Sequence, residues 1–286
     1  MNPKGSRHTI AVLASILAFL AGCGTPAAAP TPLLPTVTPG ASPVPTPPLG
    51  LPAVVYTISG METVNVRKDL AYDSADPFKR MDIYYPAGLQ GSAQVPAVIL
   101  VHGTVLAKDN FKETFPFVSW GQLIAASGLG AVTFNWNYPQ TSDLDHLIQH
   151  IRSNAGTLGI DPDRLCVFAF SGGVPYGVAA AMRGSPPYVR CIVAYYGDLD
   201  RPLSQWKEGP VEQVAPMLIV MAARDEAVPA NRITPFVDYA TAAGAHVELL
   251  VHPSGVHGFD ILNDDEQSRD IIKKTLQFFQ THLETD

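Results

Sequence analysis

The sequence predicts an α/β protein built on a doubly wound, mostly parallel sheet. Three observations carry this. Short, continuous apolar runs such as Val95 to Val101 and Met217 to Met221 have the composition of strands buried on both faces. Helix-like stretches alternate with them over about 230 residues, the order that gives parallel strands with crossover helices. A strand-like run, Arg164 to Phe170, stops at Ser171-Gly172-Gly173 and passes directly into a helical stretch, Val174 to Met182.

The chain has 286 residues, of which 47% are apolar and 16% charged, enough for one large core. Its formal net charge is −7 and its basic residues form no stripe, which argues against a nucleic-acid partner. The three cysteines, at 23, 166 and 191, make no C-x-x-C pair, so no zinc-knuckle or thioredoxin-type motif is present.

Residues 1–22 read as an export signal. Lys4 and Arg7 precede an apolar run, Ile10 to Leu20, too short to span a bilayer as a helix. The run ends in Leu20-Ala21-Gly22-Cys23, which resembles the lipobox of bacterial lipoproteins. That resemblance implies cleavage before Cys23, lipidation of its thiol, and an extracytoplasmic protein anchored to a bacterial membrane. Residues 23–52 read as a linker. Thr25 to Pro52 holds ten prolines and five threonines and no charge, a composition that favours extended polyproline II over a core. At ~3.1 Å per residue such a spacer reaches on the order of 80 Å. Residues 53–286 form the expected folded domain.

Within that domain, Val64 to Tyr72 and Lys79 to Tyr85 are expected as early strands, the second alternating Met81, Ile83, Tyr85 against Arg80, Asp82, Tyr84. A helix is expected over Pro116 to Ser127 and a strand over Ala131 to Trp136. Ser142 with Asp145 three residues on resembles a helix start, and Leu144, Leu147, Ile148 and Ile151 supply its apolar face. His146 and His150 have metal-ligand spacing, but they fall on the opposite, solvent face, and position 147 is leucine rather than a glutamate base. No metal or other cofactor is expected. Later strands are expected over Arg190 to Tyr195, Met217 to Met221 and His246 to Val251, with helices over Asn231 to Ala243 and from Asn263 onward.

The serine at the strand–helix turn suits a nucleophile elbow, the G-x-S-x-G arrangement, with Ala169 in place of the first glycine. In a doubly wound sheet its partners should follow the C-terminal ends of later strands. Asp225 follows the strand ending at Met221, and His257 follows the strand ending at Val251. The chain order Ser171, Asp225, His257 resembles that of the α/β-hydrolase superfamily, over about Val64 to Leu283. The nearest likeness is to single-domain dienelactone hydrolase-like and acetylxylan or feruloyl esterases. Two departures are Ala169 and the serine at 171, where dienelactone hydrolases proper carry cysteine.

The resemblance implies a serine hydrolase cleaving carboxylic esters of small molecules or carbohydrates through an acyl-enzyme. A serine hydroxyl needs a base such as histidine to take its proton, and a carboxylate to orient that base. Backbone N–H groups of Gly172 and Thr104 are expected to receive the oxyanion. Trp136 and Tyr138, after a strand bordering the site, are candidates for lining a substrate pocket. Asp198 is a rival acid, His252 a rival base, and His102 a structural histidine. Cys166 and Cys191 fall at matching places in strands expected to be neighbours, so a disulfide between them is open. A prolyl-oligopeptidase-type peptidase and a non-catalytic binding protein on the same scaffold are the alternative functions.

Overall fold

The computed structural model describes residues 50–89, 93–103, 110–208 and 213–284. Cys23, residues 23–49 of the linker, and Thr104 lie outside the described residues. The first strands are β1 (Asn65–Ala71), β2 (Arg80–Tyr85) and β3 (Val95–Val101). Then come α1 (Phe115–Ala126), β4 (Gly130–Phe134), α2 (Thr141–Ser153) and the short α3 (Ala155–Leu158). The elbow joins β5 (Ile160–Phe170) to α4 (Val174–Met182), followed by β6 (Val189–Tyr195), α5 (Asp200–Glu208) and β7 (Met217–Ala222). The chain ends with α6 (Thr234–Ala242), β8 (Val247–His252), α7 (Phe259–Leu262) and α8 (Glu266–Leu283).

Among the described residues, eight strands form one sheet in the order β1-β2-β4-β3-β5-β6-β7-β8. β2 pairs antiparallel with both β1 and β4, and every other pair is parallel. The apolar run of β3 divides between two cores. Ala97, Ile99 and Val101 join the core that includes Leu147 of α2, Val178 of α4 and Phe236 of α6. Val98 and Leu100 join the core of Trp120 from α1 and Phe279 from α8. Both faces of the sheet are therefore covered, which is why its central strands read as continuous apolar runs.

Several details depart from the sequence expectation. In β2 the polar side of the alternation is also buried: Asp82 lies beneath Lys112, whose Nζ is 2.9 Å from its carboxylate. Asp69 and Glu113 also reach Lys112, at 2.8 and 2.9 Å, so the buried ammonium is well partnered. α2 begins at Thr141 and Ser142 is inside it. The final helix begins at Glu266 rather than at Asn263, and its cap is Asp265, whose side chain accepts from the Ser268 N–H. The link between β6 and β7 contains α5, held by buried Leu203 and Trp206. Cys166 and Cys191 are register partners on adjacent strands, yet both are free thiols. Burial raises the Cys166 pKa well above its ordinary range.

Candidate active site

Three side chains meet at the C-terminal edge of the sheet. Ser171 lies one residue beyond β5, Asp225 three beyond β7 and His257 five beyond β8. Ser171 Oγ is 2.7 Å from His257 Nε2, and His257 Nδ1 is 2.8 Å from Asp225 Oδ2. The hydrogen-bond pattern fixes the tautomer: an ionised carboxylate only accepts, so Nδ1 carries the proton and Nε2 accepts from the serine hydroxyl. The other oxygen of Asp225 accepts from the Ala227 and Val228 N–H groups, each at 2.8 Å. These bonds hold the carboxylate in one orientation toward the imidazole.

The elbow puts Ser171 in the left-handed region, at φ 48°. Such strain in a non-glycine residue persists only where surrounding structure enforces it. The enforcement is close backbone approach. A Cβ at Gly173 would lie 2.5 Å from the Val101 carbonyl oxygen, so no side chain fits there. The missing elbow glycine at Ala169 has a counterpart across the interface. A Cβ on Gly177 of α4 would lie 3.0 Å from that of Ala169, so the strand keeps its methyl because the helix gives one up.

Gly172 follows Ser171 and lines the pocket beside it. A Cβ at Gly103 would sit 2.8 Å from the Gly172 backbone nitrogen. Glycine at 103 thus keeps the approach to that N–H open.

The rival acid and base are otherwise engaged. Asp198 accepts from Arg232 Nε at 2.9 Å. His252 is buried with Nε2 2.9 Å from Ser268 Oγ and 3.2 Å from Asp265. His102 is buried, stacked on Phe111 at 4.9 Å, and burial pushes its pKa down to about 4. His146 is exposed and His150 partly so.

Beside the serine is a pocket of about 310 Å³ whose walls include Phe111, Phe117, Trp120, Phe170, Tyr196 and Ile261. Trp136 and Tyr138 do not line it. Trp136 is buried, donates its indole N–H to the His102 carbonyl oxygen at 3.3 Å, and packs on Tyr138 and Tyr176. The aromatic pocket is instead supplied by α1, by the residues before it, and by the ends of β5 and β6.

Beneath His257 lies a polar group that the sequence reading passed over. Asp260 is buried and accepts from Tyr196 OH at 2.7 Å and from Trp120 Nε1 at 2.8 Å. Burial raises its carboxyl pKa, while the Trp120 and Tyr196 donors oppose the shift. The available signal was positional: Tyr196 follows the end of β6, and Asp260 lies three residues past His257.

Comparison with known proteins agrees with this architecture. A family model described as the dienelactone hydrolase family matches residues 136–283, a span that includes Ser171, Asp225 and His257. A putative carboxymethylenebutenolidase of Escherichia coli strain K12 is 29% identical over 127 residues. That match covers 42% of this chain and 44% of the relative, so the chain spans under half the length of the curated relative it matches. Among solved structures, a truncated carbohydrate esterase from gut microbiota superposes with a TM-score of 0.61 at 18% identity, covering 77% of this chain and 97% of that one. An esterase from Mycobacterium marinum superposes at 0.62 and 19% identity, covering 77% and 82%. At those identities the likeness is one of fold, the α/β-hydrolase fold. With the family model matching more than half of its length, the chain belongs to the dienelactone hydrolase family.

Proposed function

We propose that the protein is a serine hydrolase that cleaves carboxylic esters through an acyl-enzyme. The observation that carries this reading is the unbroken relay from Ser171 Oγ through His257 to Asp225, with bonds of 2.7 and 2.8 Å. Ser171 attacks the ester carbonyl carbon as its proton passes to His257 Nε2. Negative charge then gathers on the carbonyl oxygen, which the Gly172 N–H is placed to receive. Collapse expels the alcohol, which takes the proton from Nε2 and leaves the acyl group on Ser171. A water molecule repeats the sequence from the other side: His257 takes its proton, the acid departs, and the serine is restored. Asp225 holds the imidazole and balances its transient positive charge.

The site favours small esters with an apolar arm, because its pocket is aromatic and encloses about 310 Å³. The serine nucleophile separates it from the cysteine-dependent dienelactone hydrolases.

The further reading is of an extracytoplasmic enzyme tethered to a bacterial membrane through lipidated Cys23, with residues 23–52 as the spacer. It rests on the Leu20-Ala21-Gly22-Cys23 sequence and the uncharged proline-rich stretch after it.

A fluorophosphonate should label Ser171 covalently, and Ser171→Ala should abolish both labelling and p-nitrophenyl acetate hydrolysis. Full hydrolysis by that variant would end the proposal. For the tether, Cys23→Ser should move the protein from the detergent phase to the aqueous phase in a partition of expressing cells.

A further inference from the structure

The aromatic pocket has a wall that comes from the far N-terminal end of the described chain. Leu51 lines it together with Ser171, Gly172 and His257. Leu51 belongs to the proline-rich stretch read as a linker, yet the residues after it are fastened to the domain. The Val54 N–H donates to Ser119 Oγ of α1 at 2.9 Å, and the Val55 N–H donates to the Asp260 carbonyl oxygen at 2.8 Å. Val54 itself is buried in the core beneath α1. These two bonds carry the chain from α1 to Asp260, three residues past His257, so residues 51–55 run as a strap along the pocket.

The chemistry of the pocket limits what it takes. Among the described lining residues, the ionisable side chains besides His257 are Asp260 and the Tyr196 phenol that donates to it. Both Asp260 carboxylate oxygens are already bonded, one to Tyr196 and one to Trp120. Among the described lining residues no charged group is therefore left to pair with an ionic substrate arm, and their remaining surface is largely aromatic and aliphatic. An uncharged hydrocarbon arm matches it, and burial of that arm supplies the binding energy.

We propose that the strap is part of the substrate site and that Leu51 sets the length of the hydrocarbon arm the pocket accepts. The inference rests on the ester-hydrolase reading and adds to it a specificity-determining residue outside the α/β-hydrolase core. A hydrocarbon arm belongs to either the acid or the alcohol side of an ester, and two substrate series separate these sources.

The test measures kcat/KM for the parent, Leu51→Ala and Leu51→Trp on two series. One is p-nitrophenyl esters from acetyl to decanoyl; the other is acetate esters of ethanol through octanol. Leu51→Ala should raise the ratio of octyl-length to butyl-length substrate about tenfold in one series, and Leu51→Trp should lower it by a similar factor, the scale of a changed methylene fit in an apolar pocket. The series that responds identifies the arm. Ratios within twofold of the parent in both series and both variants would overturn the proposal. Fluorophosphonate labelling of the parent keeps the two failures apart. A labelled parent with unmoved ratios ends the role of Leu51 alone. An unlabelled parent ends the hydrolase reading, and the strap's role in substrate choice falls with it.

Discussion

The hydroxyl of Tyr196 donates to Asp260 at 2.7 Å while its ring lies edge-on to the His257 imidazole, 4.9 Å between centroids. Tyr196 holds a left-handed backbone, φ 39°, a conformation that costs a non-glycine residue of order 1–3 kcal/mol. That strain directs one ring to two tasks, packing the His257 imidazole and satisfying a buried carboxylate. Asp260→Ala should cost about 2–5 kcal/mol, because it strands both the indole N–H and the phenol. Asp260→Asn should cost only about 1 kcal/mol, since the phenol can turn to accept from the amide while the indole still donates to its oxygen. Urea unfolding of the two variants checks the order. The pH dependence has a definite sign. Burial raises the Asp260 pKa, so its protonated form is favoured by folding. Its contribution is present at low pH and lost as pH rises through the folded value. The stability of the asparagine variant relative to the parent should therefore decline as pH is lowered from 7 toward 4.

Gly103 leaves the Gly172 N–H, the proposed oxyanion donor, open by having no side chain. A Cβ there would press within 2.8 Å of the Gly172 nitrogen, and backbone cannot yield as a side-chain tip can. Gly103→Ala should lower kcat for ester hydrolysis by about a hundredfold, the scale of losing one oxyanion donor. It should slow fluorophosphonate labelling in parallel, because the phosphonyl oxygen needs the same N–H. Unchanged labelling would place the oxyanion elsewhere.

Ala169 and Gly177 exchange a methyl across the strand–helix contact. Gly177→Ala should destabilise by about 1–3 kcal/mol through overpacking, since its Cβ would meet Ala169 at 3.0 Å and Val101 at 3.3 Å. Adding Ala169→Gly should recover part of that loss, and the double-mutant cycle measures how much. Strict additivity would mean that Val101, not Ala169, sets the limit.

That pair also marks what the sequence could and could not reveal. Ser171, Asp225 and His257 were legible because each follows an apolar strand, and the rule that chemistry gathers at strand C-termini links them. Ala169 looked like a departure only because its compensation, Gly177, sits on another element and has no local signature. The same holds for the pocket. Phe111 falls in the insertion 105–115 after the strand end, where a wall of the site is expected, but Trp120 and Ile261 have no local signature, and only the packing of α1 against the His257 loop brings them to the same cavity. Local competition explains the missed helix starts. Asp145, three residues past Ser142, spends its carboxylate on Arg183 rather than on a cap, and α7 interrupts the approach to α8. α5 is nine residues with three buried ones, Pro202, Leu203 and Trp206, too short for periodicity to announce.

His102 gives the fold a pH dependence separate from catalysis. Its ring is buried among Phe111, Phe117, Phe134 and Trp136, and burial lowers its pKa from the ordinary value of 6.5 to about 4. Between those values the unfolded chain binds a proton that the folded chain refuses. Stability should therefore be fully present above pH 6.5 and fall as pH drops toward 4, by at most about 1.4 kcal/mol per pH unit for this one group. Urea midpoints measured from pH 7 to 4.5 report the slope for the parent. His102→Phe keeps an aromatic ring against Phe111 but cannot titrate, so its slope should be shallower by that amount whatever its absolute stability. An equal slope in the two proteins would assign the acid sensitivity to other groups.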